Sequence, residues 1–299
     1  MNESRAPLLT IGIPLHRSRP WIDVVNANIE AVDRPDVEFL LSDRTGLDDA
    51  LDVLAARHRT DGRVAALRVV DGSNWVEHCN ALLRQARGTY FCWMPHDDDF
   101  PRGWVDTLLA YLEAEPDLLM AFGHMERVIT DETPPDRVHG PHPPIGTGCG
   151  TWTVDVAIAV LGQWRGGYAF RGMFRRDVVV ARRLFLPRTR DNVDADLAWV
   201  FRMALLGRLR YVPEVACRKR YYAASEHRSW VRDTAHHLSL AWVLIHYTVR
   251  FSRSAGDALR ALAAIGDYTL TGLGWGNGGR ARVVQTLRRI ARGNVALGR

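Results

Sequence analysis

Lysine is almost absent from this chain, since Lys219 is the one lysine among 39 basic residues. This dominance of arginine is typical of codon usage in a GC-rich bacterial genome and does not indicate selection for a phosphate-binding surface. The net charge of +5 would suit a nucleic-acid partner, but the first 150 residues contain no basic stripe with interleaved aromatic residues. We therefore expect no nucleic-acid partner.

Cysteines and long apolar runs are also scarce. The four cysteines lie far apart with no C-x-x-C pair, which argues against a disulfide framework or a zinc site and predicts reduced thiols. The longest apolar run near the C-terminus, 238–249, contains His246 and is shorter than the ~20 residues of a membrane-spanning helix. The first residues lack the charged and apolar segments of a signal peptide. These features predict a soluble, cytoplasmic protein.

The first 129 residues alternate between short apolar runs, typical of buried strands, and segments with apolar residues at helical spacing. The predicted strands are 8–13, 37–41, 65–70, 90–94 and 118–122, and the predicted helices are 20–32, 47–57, 74–87 and 103–114. Such alternation across short linkers predicts an α/β fold with a mostly parallel sheet flanked by helices. Ligands of such sheets bind at the carboxyl ends of the strands.

The second half of the chain has a different character. Residues 130–150 contain five prolines and four glycines, which predicts a long loop. Helices are expected around 154–161, 192–206 and 229–251, and residues 280–293 have the pattern of a basic amphipathic helix.

Acidic residues follow two of the predicted strands. Asp97, Asp98 and Asp99 form a triplet after one strand, and Asp43 follows another. Adjacent carboxylates repel one another unless a cation neutralises them, and Mg²⁺ or Mn²⁺ commonly binds one or two carboxylates together with substrate phosphates. In an extended segment, Asp97 and Asp99 would share one face and Asp98 would point to the other. The alternative is that the triplet caps a helix that begins near Gly103.

The order of these features resembles family 2 glycosyltransferases of the GT-A fold. Pro14 ends the first strand, Asp43 follows the second, and Asn80 and the stretch 86–90 precede His96 and the triplet. The resemblance implies a Rossmann-like, mostly parallel sheet and hexosyl transfer from a nucleoside diphosphate sugar. It further implies a UDP or dTDP donor, an Mg²⁺ or Mn²⁺ cofactor and inversion of configuration at the anomeric carbon.

The resemblance also implies a donor site. Its predicted members are Pro14, His16, Arg17, Asp43, Asn80, His96, Asp97 and Arg220. Pro14, His16 and Arg17 would lie against the nucleotide base, and Asp43 would accept the N3–H of a pyrimidine. His96 stands where the family usually has an aspartate, and Asp97 would lie near the ribose or the donor sugar.

The metal ligands implied by the resemblance are Asp98, Asp99 and His227. Asp99 would compensate for His96, and His227 follows a basic stretch similar to the family's Y-R-x-H region near the donor phosphates. Arg220 in that stretch suits bidentate contacts to phosphate. The alternative for this stretch is a solvated basic face.

The segment 191–199 is similar to the family's E-D segment, and 207–213 is similar to its G-x-x-x-x-V-P pattern. The resemblance makes Asp196 the general base, with Asp194 as the second candidate. Ala195 replaces the usual glutamate. Alternatively, both aspartates only stabilise a helix N-terminus.

The expected organisation has four parts. Residues 1–129 form the nucleotide-sugar-binding half, 130–150 the loop, 151–225 the acceptor and catalytic-base half of the same GT-A domain, and 226–299 a helical extension. The acceptor would be a small molecule, a glycan or a lipid-linked group. Aromatic residues in 152–170 would stack on it or pack a second core. Residues 280–293 would touch an anionic membrane, pack on the domain or form a homodimer contact.

Two other functions fit an α/β chain. A sugar-1-phosphate nucleotidyltransferase would need a glycine-rich loop with a lysine after the first strand, whereas this chain has Pro14, Leu15, His16 and Arg17 there. A non-catalytic nucleotide-sugar-binding or scaffold protein is favoured only by Ala195.

Overall fold

The computed structural model describes residues 6–44, 46–68, 74–129, 154–162, 168–222, 225 and 229–274. The predicted loop 130–150, the predicted helix 280–293 and His227 lie outside these ranges. The described strands are β1 Leu9–Leu15, β2 Val37–Asp43, β3 Val64–Arg68, β4 Tyr90–Trp93, β5 Leu118–Ile129, β6 Met173–Arg175 and β7 Arg208–Tyr221. The described α-helices are α1 Ile22–Glu30, α2 Ala50–Arg57, α3 Trp75–Gln85, α4 Trp104–Ala114, α5 Val154–Gly162, α6 Arg176–Ala181, α7 Ala195–Leu206, α8 Thr234–Phe251 and α9 Ala255–Gly272.

The described strands form one sheet in the order β3-β2-β1-β4-β6-β5-β7. All neighbouring pairs are parallel except the two that involve β6. Leu15 of β1 is in register with Asp43 of β2, and Gly12 of β1 is in register with Trp93 of β4. These three strands therefore end at one edge of the sheet, which we call the carboxyl edge. The expected α/β class with a mostly parallel sheet is confirmed.

The predicted strands and helices of the first half all occur, with shifted ends. The strand predicted at 118–122 is longer, because β5 continues to Ile129 beside β7. Neither β6 nor β7 was predicted. β6 has only three residues, too few to show a period.

β7 is long but irregular. Its register against β5 shifts between Gly123 and His124, so Pro213 and its two successors bulge out of the ladder. A proline inside a strand is tolerated at such a bulge. A Cβ on Gly123 would lie 2.6 Å from the Val215 carbonyl oxygen, so this close approach requires glycine.

The C-terminal part of the described chain is an antiparallel pair of helices, α8 and α9. The helix predicted at 229–251 begins later, at Thr234, because the side chain of Asp233 accepts a hydrogen bond from the His236 amide at 2.7 Å and caps α8. α9 was not predicted, and Ser254 caps it in the same way. In the described ranges, no helix is both long and apolar enough to cross a membrane.

Candidate active site at the carboxyl edge

The acidic triplet lies in a turn directly after β4. The amide of Asp98 donates to the Pro95 carbonyl at 3.2 Å, so the segment is bent and not extended as we expected. Asp99 then forms a pair of backbone hydrogen bonds with Arg218 of β7, both at 2.9 Å. α4 begins at Trp104 with Gly103 at its N-cap and has no side-chain cap. The interpretation of the triplet as a helix cap is therefore wrong.

Asp98 points into the protein and is fully buried. Arg171, at the end of the 3-10 helix Tyr168–Arg171, donates from Nε to its Oδ2 at 2.6 Å. The Arg220 amide lies 3.3 Å from its Oδ1. The carbonyl of Asp98 accepts a hydrogen bond from Asn28 at 2.8 Å. The carboxylate that the resemblance made the metal ligand thus forms a buried ion pair.

Asp97 and Asp99 are half-buried. The Tyr222 hydroxyl donates to the Asp97 carboxylate. Burial opposes ionisation of Asp97, but the positive charges of His96, Lys219 and Arg171 outweigh it and lower the pKa of this carboxyl. Asp97 is therefore the ionised carboxylate of the triplet that has no arginine ion pair among the described residues.

Arg220 links the triplet to Trp21, at the end of the 3-10 helix Arg19–Trp21 that precedes α1. Its Nη2 forms an ion pair with Asp99 at 2.6 Å, and its Nη1 donates to the Asp97 carbonyl at 3.0 Å. Its guanidinium lies over the Trp21 ring, 5.6 Å from the centroid, and the Trp21 ring contacts Tyr222 at 4.9 Å. The end of β7 is thus held against the carboxyl edge.

Four of the predicted donor-site residues, Pro14, His16, Asp43 and His96, lie at the same edge. His96 Nδ1 lies 3.0 Å from the Pro14 carbonyl oxygen, which can only accept, so this nitrogen carries the proton. His16 Nε2 accepts from Arg44 at 3.0 Å, directly after buried Asp43 at the end of β2. Arg17, which was also predicted to lie against the base, is exposed and has left-handed backbone with φ 51°.

Asn80 has a different environment from the other predicted donor-site residues. Its side chain is buried on α3, and its amide nitrogen donates to the Leu186 carbonyl at 3.0 Å. Its amide oxygen accepts from the Leu186 amide at 2.8 Å. These bonds hold α3 to the segment that precedes α7 and do not involve the carboxyl edge.

The second acidic cluster lies at the start of α7. Asp191, Asn192 and Asp194 all have left-handed backbone, with φ between 54° and 57°. Aspartate and asparagine tolerate this conformation better than other side chains that have a Cβ, which explains the local sequence. A strained backbone of this kind persists only where contacts with the surrounding structure hold it in place.

Asp194 is buried and bonded to His236 of α8 and to Arg232, which lies two residues before that helix. Arg232 donates to its two oxygens at 2.9 and 2.7 Å, and His236 Nε2 lies 3.1 Å from Oδ2. Burial alone would raise its pKa, but His236 and Arg232 lower the pKa of Asp194 to about 2. A carboxylate so stabilised is a weak base.

Asp196 has the opposite character. Its Oδ1 accepts from the adjacent Leu197 amide at 2.9 Å, and it has no ion pair with a described residue. Burial, with a smaller contribution from the charge of Asp194, raises the pKa of Asp196. Of the two predicted candidates, Asp196 has the chemistry of a general base.

The prediction from sequence missed Lys219. Its ammonium lies 5.2 Å from the Tyr221 ring centroid. Its charge contributes to the lowered pKa of Asp97 and partly offsets the raised pKa of Asp196, and the buried charge of Arg171 has the same two effects. The charges of these two cations thus act on both the triplet and the start of α7. The available signal was that Lys219 is the one lysine of the chain.

Aromatic residues near the second cluster differ from those predicted. Phe170 is buried and stacks on Trp93 at 4.8 Å, so it packs the core and is not an acceptor platform. Trp152 and Trp164 lie outside the described residues. Instead, Trp75 stacks on Trp230 at 6.0 Å and donates to the Asn192 carbonyl at 3.1 Å, beside α7.

The sequence profile of glycosyl transferase family 2 matches residues 10–179, which is more than half of the chain. The chain belongs to glycosyltransferase family 2. The resemblance found from the sequence is thereby confirmed. No curated protein matches this glycosyltransferase in sequence.

Solved structures share its fold. S. aureus TarS 1–349 in complex with UDP-GlcNAc is 13% identical with a TM-score of 0.68, and the alignment covers 88% of this chain and 72% of that chain. The mannosyltransferase PcManGT from Pyrobaculum calidifontis, in complex with GDP-Man and Mn2+, is 16% identical with a TM-score of 0.56, and the alignment covers 96% of this chain and 81% of that chain. These similarities support the GT-A fold of this glycosyltransferase.

Proposed function

We propose that this glycosyltransferase moves a sugar from a nucleoside diphosphate to an acceptor hydroxyl or amine with inversion at the anomeric carbon. The observation that carries the proposal is a family 2 match together with two acidic clusters, Asp97–Asp99 and Asp194–Asp196, whose pKa values respond to the charges of the same two cations, Lys219 and Arg171. One cluster suits the donor diphosphate and its cation, and the other suits the acceptor.

The donor is a nucleoside diphosphate sugar. TarS binds UDP-GlcNAc and PcManGT binds GDP-Man in structures of the same fold, which supports a donor of this class. Pro14, His16, Arg17 and Asp43 would line the site of the base. Asp43 would accept the N3–H of a pyrimidine, which favours UDP or dTDP.

The residues of the triplet fit a divalent cation. Within the described ranges, no group of three or more His, Cys, Asp or Glu side chains could hold a metal by itself. Mg²⁺ and Mn²⁺ sites in phosphate chemistry need only one or two carboxylates, because substrate oxygens complete the shell. Asp97 and Asp99 are the carboxylates for this role, because Asp98 already forms a buried ion pair with Arg171. When bound, the cation would neutralise charge on the leaving diphosphate.

The protein's own cations assist the leaving group. Lys219 and Arg220 would contact the diphosphate oxygens, and Arg220 would exchange its ion pair with Asp99 for the phosphate. Charges that are already in place at the start of the reaction stabilise the leaving group without reorganisation.

Asp196 acts on the acceptor. Burial raises its pKa, which makes its carboxylate a stronger base than that of an ordinary aspartate. Deprotonation of the acceptor promotes attack on the anomeric carbon from the face opposite the diphosphate, and this single displacement inverts the configuration.

Titration calorimetry of the full chain with UDP, dTDP and GDP, each in Mn²⁺ or EDTA, tests the donor site. We expect a pyrimidine diphosphate to bind in Mn²⁺, and Asp97→Asn to remove the Mn²⁺-dependent part. Asp117→Asn, an exposed carboxylate paired with Arg208, is the matched control and should bind normally. Absence of nucleotide diphosphate binding in Mn²⁺ would contradict the proposal.

Donor hydrolysis followed by NMR tests the chemistry. We expect release of the nucleoside diphosphate and, first, the sugar anomer of inverted configuration. Formation of pyrophosphate from UTP and a sugar 1-phosphate would instead identify a nucleotidyltransferase.

A further inference from the structure

The outward side of α8 is an apolar surface. Residues 234–249 contain no Asp, Glu, Lys or Arg. Leu238, Trp242 and Val249 are 56%, 72% and 72% exposed, and Ile245 is half-buried between them. We call these four residues the α8 face. They recur at intervals of four and three, so they form one stripe along the helix. A contiguous exposed apolar surface of this kind marks an interaction site.

The other side of α8 is fixed to the protein. Leu240, Leu244 and Tyr247 are buried, and His236 contacts Asp194. The α8 face therefore points away from the domain and belongs to a helix that is held in place.

Positive charge follows the α8 face in the sequence. Arg250 and Arg253 follow it and are exposed. The last acidic residue of the chain is Asp267, and six arginines follow it. Their combined charge of +6 is larger than the net charge of the whole chain, which is +5. The remainder of the chain is thus slightly acidic, and its positive charge is carried by the C-terminal sequence.

The C-terminal sequence starts beside α8. Gly272, at the end of α9, packs so closely on the His237 ring that a Cβ would clash there. The first arginine of the C-terminal sequence, Arg280, is eight residues further, a distance of at most about 28 Å. The α8 face extends over about 17 Å. The arginines can therefore act at the same surface as the apolar stripe.

We propose that the α8 face docks on a membrane surface rich in anionic lipid. Trp242 and its apolar neighbours would enter the headgroup boundary, and the arginines would supply electrostatic attraction. The stripe would also suit pairing with α8 of a second copy. Such pairing would bring two arginine-rich sequences together, and they would repel, whereas anionic headgroups neutralise them.

Co-sedimentation of the full chain with vesicles tests this docking. We expect binding to phosphatidylcholine vesicles that contain phosphatidylglycerol, little binding to phosphatidylcholine alone, and weaker binding at high salt. Each arginine near an anionic surface contributes about a fivefold change in partition. The double substitution Arg288→Gln, Arg289→Gln should therefore weaken binding about 25-fold.

Trp242→Asp should abolish vesicle binding. Leu259→Asp, at an equally exposed apolar residue of α9, is the matched control and should bind normally. The melting temperature and UDP affinity of both variants should equal those of the parent chain, so the result is independent of the donor site. Unchanged binding of Trp242→Asp would overturn the proposal. So would a dimer in light scattering that Trp242→Asp dissociates, with no vesicle binding by the parent chain.

Discussion

Asp194 and Asp196 are two residues apart, yet the structure predicts opposite consequences for their replacement by asparagine. Asp194→Asn keeps a side chain that tolerates the left-handed backbone at φ 55° and removes only the charge. That charge is paired with Arg232 and His236, and the side chain of Asp194 is 6% exposed. The substitution therefore measures what the ion pairs contribute.

The magnitude follows from the pKa. The folded protein lowers the pKa of Asp194 from 3.8 to about 2. At 1.36 kcal/mol per unit, the ionised form contributes about 2.5 kcal/mol to the free energy of unfolding. Because the folded pKa is lowered, this contribution is present in full above the unfolded pKa of 3.8 and is lost as the pH falls towards 2.

Urea unfolding followed by circular dichroism, at intervals from pH 7 to pH 2, is the assay. Asp194→Asn should be less stable by about 2.5 kcal/mol at pH 7, and the difference from the parent chain should shrink below pH 4. Equal stability at pH 7, or a difference that does not change with pH, would refute the reasoning.

Asp196→Asn should behave in the opposite way. Since burial raises the pKa of Asp196, its ionisation opposes folding at pH 7, and the variant should be at least as stable as the parent chain. Turnover should fall by a factor of about 10² to 10⁴, the usual contribution of a general base, with donor affinity unchanged. Normal turnover in Asp196→Asn, or a selective loss of turnover in Asp194→Asn, would assign the base to Asp194.

Three further predictions concern other residues of the site. Asp98→Asn should lower the free energy of unfolding in urea by about 3 to 5 kcal/mol, because it leaves Arg171 buried without its partner. The double substitution Asp98→Leu, Arg171→Met should recover part of that loss. Lys219→Met should move the acid limb of the kcat/KM profile to higher pH, because the ammonium partly offsets the rise in the pKa of Asp196. Lys219→Arg keeps the positive charge and should restore the parent profile. Asn80→Ala should lower the free energy of unfolding by about 2 kcal/mol, because it removes two hydrogen bonds to Leu186, and should leave UDP affinity unchanged. A loss of UDP affinity at equal stability would place Asn80 in the donor site.

Local pattern was sufficient for most of the first half of the fold. In that half, strands with continuous apolar sequence and helices with a 3.6-residue period were all predicted, whereas the 18-residue helix α9 in the second half was not. β6 was too short to show a period. β7 contains a proline and a bulge, which interrupt its pattern, and it forms a strand by pairing with β5. These strands depend on partners in distant parts of the chain.

The sequence alone provided the candidate carboxylates: those that follow strands, Asp43 and the triplet, and those at the start of α7, Asp194 and Asp196. Composition and order are local properties, and they were enough to identify glycosyltransferase family 2. Only the tertiary structure decided which of these carboxylates form ion pairs within the protein. Arg171 pairs with Asp98 across 73 residues of chain, Arg220 with Asp99 across 121, and Arg232 with Asp194 across 38. A carboxylate's basicity and its availability to a cation depend on such neighbours, and folding brings those neighbours from parts of the chain that no local pattern connects.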